Sequence, residues 1–250
     1  MYTSGMDTIA QANAQAYNSM ASSWEEAMKT NVGHKYLEKP AMRAELPDSF
    51  EGQTVLSIGV GTGGELEEIL KRAPLRLTGI DISKQLLGIA SEKFPSIEFA
   101  EMNMEHMSFP DETFDFIYSS LVFEYARDWD TFLKEVHRIL KPGGILLFST
   151  HNPSYWALKP ATGREYTNAR GITLKEHSAT LPGDVEVIFY NHPDQESIRS
   201  ALEYAGFGIL AFYTPSVIEI RPETAEEENY NALKEKNAKN PLFLIIKSEK

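Results

Sequence analysis

The stretch VLSIGVGTGG at residues 55–64 decides the fold of this chain. Its first half is apolar and β-branched, as in a buried strand, and four glycines follow within residues 59–64. Helical spacing of apolar residues resumes at 65–71. Glycines permit a tight turn and let a ligand approach the backbone, and a helix N-terminus offers unpaired N–H groups to an anion. The stretch therefore predicts a strand, a ligand-binding loop and a helix.

The alternation of strand and helix continues after this loop. Apolar runs of strand length lie at 75–80, 97–100, 114–119 and 145–149, and amphipathic segments of helix length lie at 84–93 and 130–140. The residues Pro142, Gly143 and Gly144 predict a stop after the second of these helices. Strands that alternate with helices form βαβ units, so we predict an α/β fold with a doubly wound, mainly parallel sheet.

The rest of the chain flanks this core, and we predict a single domain over residues 1–250. Its parts are an N-terminal helical cap (1–50), a cofactor-binding core (51–150), an inserted lid rich in aromatic residues (151–193) and a C-terminal helix with further strands (194–250). The highly charged stretch at 226–239 is interpreted as a solvated connection.

Composition argues against several classes of protein. The chain has 24 Lys and Arg against 36 Asp and Glu, a net charge of −12. Nucleic-acid binding draws affinity from basic residues, so we expect a small-molecule partner and no nucleic acid. Cysteine is absent, which excludes disulfides and thiolate chemistry. The spacing of His34, His177 and His192 does not match a zinc site, so no metal is expected.

Location follows from the same survey. No apolar run reaches the length of a membrane span, and residues 1–11 lack the features of a signal peptide. We therefore expect a cytoplasmic protein without membrane association. The sequence predicts no oligomeric state.

An acidic residue follows the glycine loop at a meaningful distance. Asp81 ends the next predicted strand, 18 residues beyond Gly63, where a carboxylate can accept both hydroxyls of a ribose. Gly59, Gly61 and Gly64 also fit the dinucleotide spacing G-x-G-x-x-G. A NAD-type oxidoreductase therefore stays open at this point, as does a glycine-rich turn that binds nothing.

Four motifs in order carry a resemblance to a known family. They are VLSIGVGTG (55–63), GIDIS (79–83), MSFPDETFD (107–115) and LKPGG (140–144). Together they resemble the class I S-adenosylmethionine-dependent methyltransferases, in the methyltransferase-11 or UbiE-like style. The segments 36–42 and 241–250 also look like parts of bacterial members. The resemblance implies a seven-stranded Rossmann-like sheet, S-adenosylmethionine as cofactor and S-adenosylhomocysteine as product.

The resemblance also implies roles for individual residues in cofactor binding. Gly59, Gly61 and Gly63 pass the methionine part of the cofactor, and Asp81 holds the ribose. Asn103 and Met104 lie beside adenine, and Ile82 lies against it. The backbone carbonyl of Ser120 meets the ammonium group, and Tyr17 closes over the cofactor. Ser57 and Asn103 stand where the family usually has acidic residues, and both changes remove negative charge near a cationic cofactor.

The acceptor site is less well determined by the sequence. His151 follows a predicted strand and suits a general base, although a loop-capping histidine is an equal alternative. Glu124 and Tyr125 follow the fourth strand, where a carboxylate is also explained by a helix N-terminus. The aromatic residues expected to line an acceptor pocket, or simply to pack a lid, are Trp24, Tyr36, Tyr155, Trp156, Tyr166 and Tyr190.

These observations lead to one functional hypothesis with two alternatives. We expect methyl transfer to the oxygen or nitrogen of a small organic acceptor that binds under an aromatic lid. The alternatives are a NAD-type oxidoreductase and a cofactor-binding protein without turnover. The run Phe123–Glu124–Tyr125 also looks like part of cyclopropane fatty acid synthases, which makes lipid chemistry a weaker option. The sequence does not identify the acceptor.

Overall fold

A computed structural model describes residues 8–154, 166–167, 172–177, 186–191, 194–219 and 227–250. The helices are α1 (Thr8–Thr30), α2 (Lys39–Ala44), α3 (Leu66–Leu70), α4 (Lys84–Lys93), α5 (Trp129–Ile139), α6 (Gln195–Tyr204) and α7 (Glu227–Lys239). A π-helical turn (His34–Glu38) precedes α2, and a 3₁₀ turn (Phe123–Tyr125) precedes α5. No helix within the described ranges has the length and apolar character that a membrane span requires.

The strands form one large sheet and one small one. They are β1 (Thr54–Ile58), β2 (Arg76–Asp81), β3 (Glu98–Glu101), β4 (Phe114–Ser120), β5 (Leu140–His151), β6 (Tyr166–Thr167), β7 (Ile172–His177), β8 (Glu186–Asn191), β9 (Gly208–Tyr213) and β10 (Phe243–Glu249). The large sheet has seven strands in the order β3-β2-β1-β4-β5-β10-β9, and the small one has the order β6-β7-β8.

The large sheet is parallel from β3 to β5, and β10 is antiparallel to both of its neighbours. The predicted doubly wound, mainly parallel sheet of seven strands is therefore confirmed. The chain order of the strands reverses between β1 and β4, which lie side by side. In open α/β sheets, a crevice for ligands forms at this position outside the carboxyl ends of the strands.

Apolar stripes cover the two faces of this sheet. On α5, the buried side chains Phe132, Leu133, Val136 and Ile139 follow helical spacing and pack on one face. On that face the ring of Phe123 stacks on Phe148, with centroids 4.2 Å apart. This stack joins the 3₁₀ turn to β5. Both elements continue directly into residues of the cleft described below.

The motif LKPGG behaves differently from the prediction. We expected Pro142, Gly143 and Gly144 to stop the helix before a separate strand, but β5 already begins at Leu140 and runs through them. Gly143 has a φ of +74°, and the pairing register with β4 shifts here. A Cβ on Gly144 would lie 2.8 Å from the carbonyl oxygen of Lys141. The motif is thus a sharp kink inside a strand, which glycines permit.

The stretch at 226–239 also corrects the sequence analysis. We interpreted it as a solvated connection, but Glu227–Lys239 forms α7. Tyr230 and Leu233 are buried, and the ring of Tyr230 packs edge-on against Tyr36 at 5.2 Å. Only these apolar anchors mark the buried face among many charged residues. The spacing of apolar residues in this stretch is too weak to predict a helix without knowledge of the π-helical turn, which carries Tyr36.

The Phe123–Phe148 stack generates a prediction about stability. Phe148→Ala should lower the free energy of unfolding by about 3–5 kcal/mol, because it leaves a cavity at a fully buried position. Leu75, which is 71% exposed, provides the control. Leu75→Ala should change stability by about 0.5 kcal/mol or less. Guanidinium unfolding monitored by circular dichroism measures both. Equal, small losses would show that this stack does not anchor the sheet.

Candidate functional site

A cleft of about 530 Å³ opens at the carboxyl ends of β1, β2 and β4. A stripe of α1 forms one wall, and α7 contributes another. All but one of the residues to which we assigned a cofactor or catalytic role line this cleft: Tyr17, Gly59, Gly61, Asp81, Ile82, Asn103, Met104, Ser120, Glu124, Tyr125 and His151. The exception is Gly63, which does not line it.

The glycine loop has the conformation that its sequence requires. Gly59 has a φ of +67°, and a Cβ there would lie 2.2 Å from the side chain of Val122. Any other residue would push the loop away from the end of β4. Gly63 has a φ of +82°, and a Cβ there would lie 2.7 Å from the ring of Phe94. Gly59 therefore shapes the cleft, whereas Gly63 allows the loop to pack on α4.

Asp81 joins the glycine loop to the start of α4. Its Oδ2 accepts a hydrogen bond from the backbone N–H of Gly61 at 2.8 Å, and its Oδ1 accepts one from Ser83 at 2.8 Å. Burial raises the pKa of this carboxyl group, and the backbone donors oppose that rise. Each carboxylate oxygen has a second lone pair. The side chain is thus fixed in place and still able to accept hydrogen bonds from a ligand.

The segment after β3 forms the other end of the cleft. Asn103 accepts a hydrogen bond from the backbone N–H of Glu105 at 2.9 Å through its Oδ1. Glu105 in turn accepts from the backbone N–H groups of Arg127 and Asp128. Apolar side chains surround this end: Ile80, Ile82, Leu86, Met102 and Met104. We did not predict a role for Glu105, although its position two residues before the motif at 107–115 was a possible signal.

His151 and Glu124 form a hydrogen-bonded pair in the cleft. The Nδ1 of His151 lies 2.7 Å from Oε1 of Glu124, and Thr150 donates to Oε2 of Glu124 at 3.3 Å. Glu124 is 6% exposed, and the His151 ring lies 5.5 Å from the ring of Phe243. A carboxylate that accepts from Nδ1–H fixes the tautomer in which Nε2 is the basic nitrogen. The two residues that were separate candidates in the sequence therefore form one unit.

Tyr17 and Tyr125 connect α1 to the 3₁₀ turn. Their hydroxyl groups are hydrogen-bonded to each other, and their rings meet edge-on at 5.9 Å. The ring of Trp24 packs edge-on against Tyr17 at 5.2 Å. These contacts hold one helix of the N-terminal cap next to the His151–Glu124 pair.

A second histidine, His34, lines the cleft, although we considered it in the sequence only as a zinc ligand. Burial lowers the pKa of His34 to about 3, with smaller effects from Lys39 and His151, so its imidazole is neutral. Its ring lies 6.2 Å from Phe243, the same ring that contacts His151. His34 is the first residue of the π-helical turn, and no pattern in the sequence predicted that it would line the cleft. In the part of the chain that the structure describes, no His, Asp or Glu cluster has the geometry of a metal site.

The expected aromatic wall is only partly supported. Trp24 lines the cleft, but Tyr36 is 2% exposed, packs against Tyr230 and does not line it. Tyr36 faces inward because the π-helical turn directs it towards α7. The remaining members of that set, and His177 and His192, are outside the residues or side chains that the structure describes.

Comparisons with known proteins agree with this geometry. Residues 56–148 match the model of a methyltransferase domain family. A demethylmenaquinone methyltransferase of Chlorobaculum parvum is 37% identical over 166 residues, which cover 64% of this chain and 67% of that protein. A malonyl-[acyl-carrier protein] O-methyltransferase of Serratia marcescens is 30% identical over 151 residues, or 59% of this chain and 56% of that protein. The chain thus spans little more than half the length of the Serratia relative.

A solved structure shows the same fold. The S-adenosylmethionine-dependent methyltransferase of Mesorhizobium loti superposes with a TM-score of 0.65 at 26% identity, covering 85% of this chain and 97% of that one. Three observations indicate the same family: the order of the strands, the glycine loop with Asp81, and the similarity to known methyltransferases. The chain belongs to the family of class I S-adenosylmethionine-dependent methyltransferases.

Proposed function

We propose that this chain transfers the methyl group of S-adenosylmethionine to an oxygen or nitrogen of a small organic acceptor that must lose a proton. The observation that carries this proposal is the His151–Glu124 pair, which lines the same cleft as the glycine loop and Asp81. When bound, the cofactor supplies an activated methyl group on a sulfonium centre. The protein then has to align the acceptor and accept its proton.

The residues of the cleft fit this cofactor. The backbone of Gly59 lines the cleft, and Asp81 keeps lone pairs for ribose hydroxyls. Ile82 and Met104 offer an apolar site for adenine beyond Asp81 on the β3 side. We expect Asn103 to lie beside the same base. The methionine part then extends in the opposite direction, over β1 towards Ser120 at the end of β4.

The charges of the cleft favour this cofactor over NAD. Three carboxylates, Asp81, Glu105 and Glu124, line its described part. Lys236 is the one lysine among those lining residues, and His34 is neutral. A site rich in carboxylates attracts a sulfonium cation and repels a pyrophosphate. The charges of the cleft therefore weigh against a NAD-type oxidoreductase, which the glycine spacing left open.

The His151–Glu124 pair narrows the class of acceptor. A carboxylate is already nucleophilic and needs no base, so this pair would be idle in its methylation. A phenol, an enol or a protonated heterocyclic nitrogen gains from a base. With Nδ1–H donating to Glu124, Nε2 of His151 is the atom that receives the acceptor's proton. We therefore expect a hydroxylated or nitrogen-containing ring, which also suits the apolar walls of the cleft.

The lid remains part of this proposal. The described strand β8 packs against α1 and the 3₁₀ turn, and Val187 is buried with Ala16 and Met20. The insertion is thereby attached beside Tyr17 and Tyr125. We expect the chain between 151 and 193 to cover the acceptor.

Cofactor binding is tested first at Asp81. Asp81→Ala should weaken binding of S-adenosylhomocysteine by about 1–3 kcal/mol, because charge-assisted hydrogen bonds to the ribose are lost. Asp130, an exposed residue in the first turn of α5, provides the control, and Asp130→Asn should bind normally. Isothermal calorimetry measures the affinities. Unchanged affinity in a folded Asp81→Ala protein, or binding of NAD alone, would contradict the assignment.

The base is tested with a panel of small phenols, hydroxyquinones and heterocyclic amines and radiolabelled S-adenosylmethionine. With any acceptor found, His151→Ala should lower the single-turnover rate by about 10²-fold, because the proton acceptor is lost. Glu124→Gln should lower the rate by about tenfold, because it loosens the tautomer and orientation of His151.

The exposed His106 provides a matched control, and His106→Ala should keep the wild-type rate. If His151→Ala retains full activity, no base acts at this position. Turnover limited to carboxylate acceptors would also count against the proposal.

A further inference from the structure

Glu38 is a fully buried carboxyl group with an unusual set of partners. Its Oε1 accepts hydrogen bonds from the hydroxyl groups of Ser120 at 2.8 Å and Ser149 at 2.5 Å. These two serines are paired in register at the ends of β4 and β5. Its Oε2 is buried and has no hydrogen-bond partner. Burying a carboxyl group with one oxygen unpaired is costly.

The neighbouring charges do not neutralise Glu38. Lys39 is the next residue, but its Nζ lies 2.8 Å from Oε1 of Glu65 and pairs with that carboxylate. Tyr118 faces both carboxylates, and burial, Glu65 and Glu38 raise the pKa of its hydroxyl group well above the usual value, so it is neutral. Arg43, on α2, acts in the opposite direction and lowers the pKa of Tyr118. Within the described residues, no cation is in hydrogen-bond contact with Glu38.

Burial raises the pKa of Glu38 to about 7, and Glu65 adds to the rise. Hydrogen bonds from Ser149 and Ser120, together with Lys39, act in the opposite direction. The carboxyl group is thus close to half ionised at neutral pH before any ligand binds. A cation arriving near it would favour the ionised form.

The topology indicates which cation arrives. Ser57 pairs with Tyr118 in parallel register, and Ser120 follows Tyr118 by two residues, so all three side chains belong to one face of the sheet. Ser57 is uncharged, and Glu38 brings a carboxyl group to this face at the end of β4. Ser120 also lines the cleft, on the side opposite to the adenine end. By the proposed function, the amino-acid end of the cofactor, with its ammonium group, extends to that side.

We propose that Glu38 is a positioning residue for the α-ammonium group of the cofactor, and that it acts through the hydroxyl group of Ser120. This inference rests on the proposed function. Ser120 donates its hydroxyl proton to Glu38 and keeps Oγ as an acceptor for the ammonium group. Glu38 thereby supplies negative charge that Ser57 does not.

This arrangement has a defined linkage between protons and ligand. Bound ammonium favours ionised Glu38, so the pKa of Glu38 is lower in the complex than its value of about 7 in the free protein. Binding then releases protons near neutral pH. Affinity is greatest above the free-protein pKa and declines as the pH falls through it, several-fold from about pH 8 to about pH 6.

The test compares two probes by calorimetry. S-adenosylhomocysteine carries the amino-acid part, whereas 5′-methylthioadenosine has the adenosine and the thioether only. Glu38→Gln should weaken binding of S-adenosylhomocysteine by about tenfold or more and leave that of 5′-methylthioadenosine unchanged. Glu65→Gln removes the neighbouring carboxylate, which does not contact Ser120, and should bind both probes nearly as the wild type does.

Proton release provides a second readout. In buffers of different ionisation enthalpy, the wild type should release protons on binding S-adenosylhomocysteine near pH 7, and Glu38→Gln should not. The ligand's own amine would take up protons, which is the opposite sign. If Glu38→Gln does not fold, Ser120→Ala must lose the proton release in its place.

The outcomes separate the two proposals. Equal loss of both probes in Glu38→Gln, or unchanged binding and proton release, would overturn the role of Glu38 and leave the proposed function intact. Failure of the wild type to bind either probe would refute the proposed function itself.

Discussion

The site depends on the parallel pairing of β1 with β2 on one side and β4 on the other. This pairing brings the glycine loop, Asp81 and Ser120 to one edge of the sheet, although they are distant in the sequence. It works only because Gly59 has no side chain, since Val122 occupies the space where a Cβ would be. The backbone hydrogen bond from Gly61 to Asp81 then fixes the loop against β2. The cleft is therefore a consequence of strand order, and the side chains that enter it from other elements add the chemistry.

Several buried acids lie in or next to the cleft, and each is held by different hydrogen-bond donors. Asp81 is stabilised by backbone N–H groups, Glu124 by His151 and Thr150, and Glu38 by two serines. Such groups are expensive to bury without partners. Asp81 and Glu124 line the cleft together with Glu105 and give it a negative character. A sulfonium cofactor with an ammonium group complements that character. The same charges make the cleft a poor site for a pyrophosphate, so electrostatics distinguishes two cofactors that the glycine spacing alone does not.

Much of this could be predicted from the sequence, for physical reasons that are visible in particular residues. The strand Thr54–Ile58 is a short, largely apolar run, the helix Lys84–Lys93 begins at a clear N-cap, Ser83, and the motif residues lie next to both elements. The approach of His151 to Glu124 was not predictable, because it depends on how β5 extends beyond its apolar run to reach the 3₁₀ turn. The helix at Glu227–Lys239 was missed because its burial depends on packing against Tyr36 near the other end of the chain. The burial of Glu38 was missed because it depends on how the π-helical turn packs against β4 and β5. Local pattern carries no information on such contacts.

The fold by itself does not establish the chemistry, since one fold supports different reactions according to the groups placed in its site. The central claim is that one cleft holds both the cofactor and the proton-accepting His151–Glu124 pair. A crystal structure of the protein with S-adenosylhomocysteine tests it most directly. The account predicts ribose hydroxyls hydrogen-bonded to Asp81, the amino group at Ser120 and the sulfur facing the side of the cleft that holds His151. A ligand bound away from Asp81, or with its sulfur turned from His151 and shielded from it, would contradict the account.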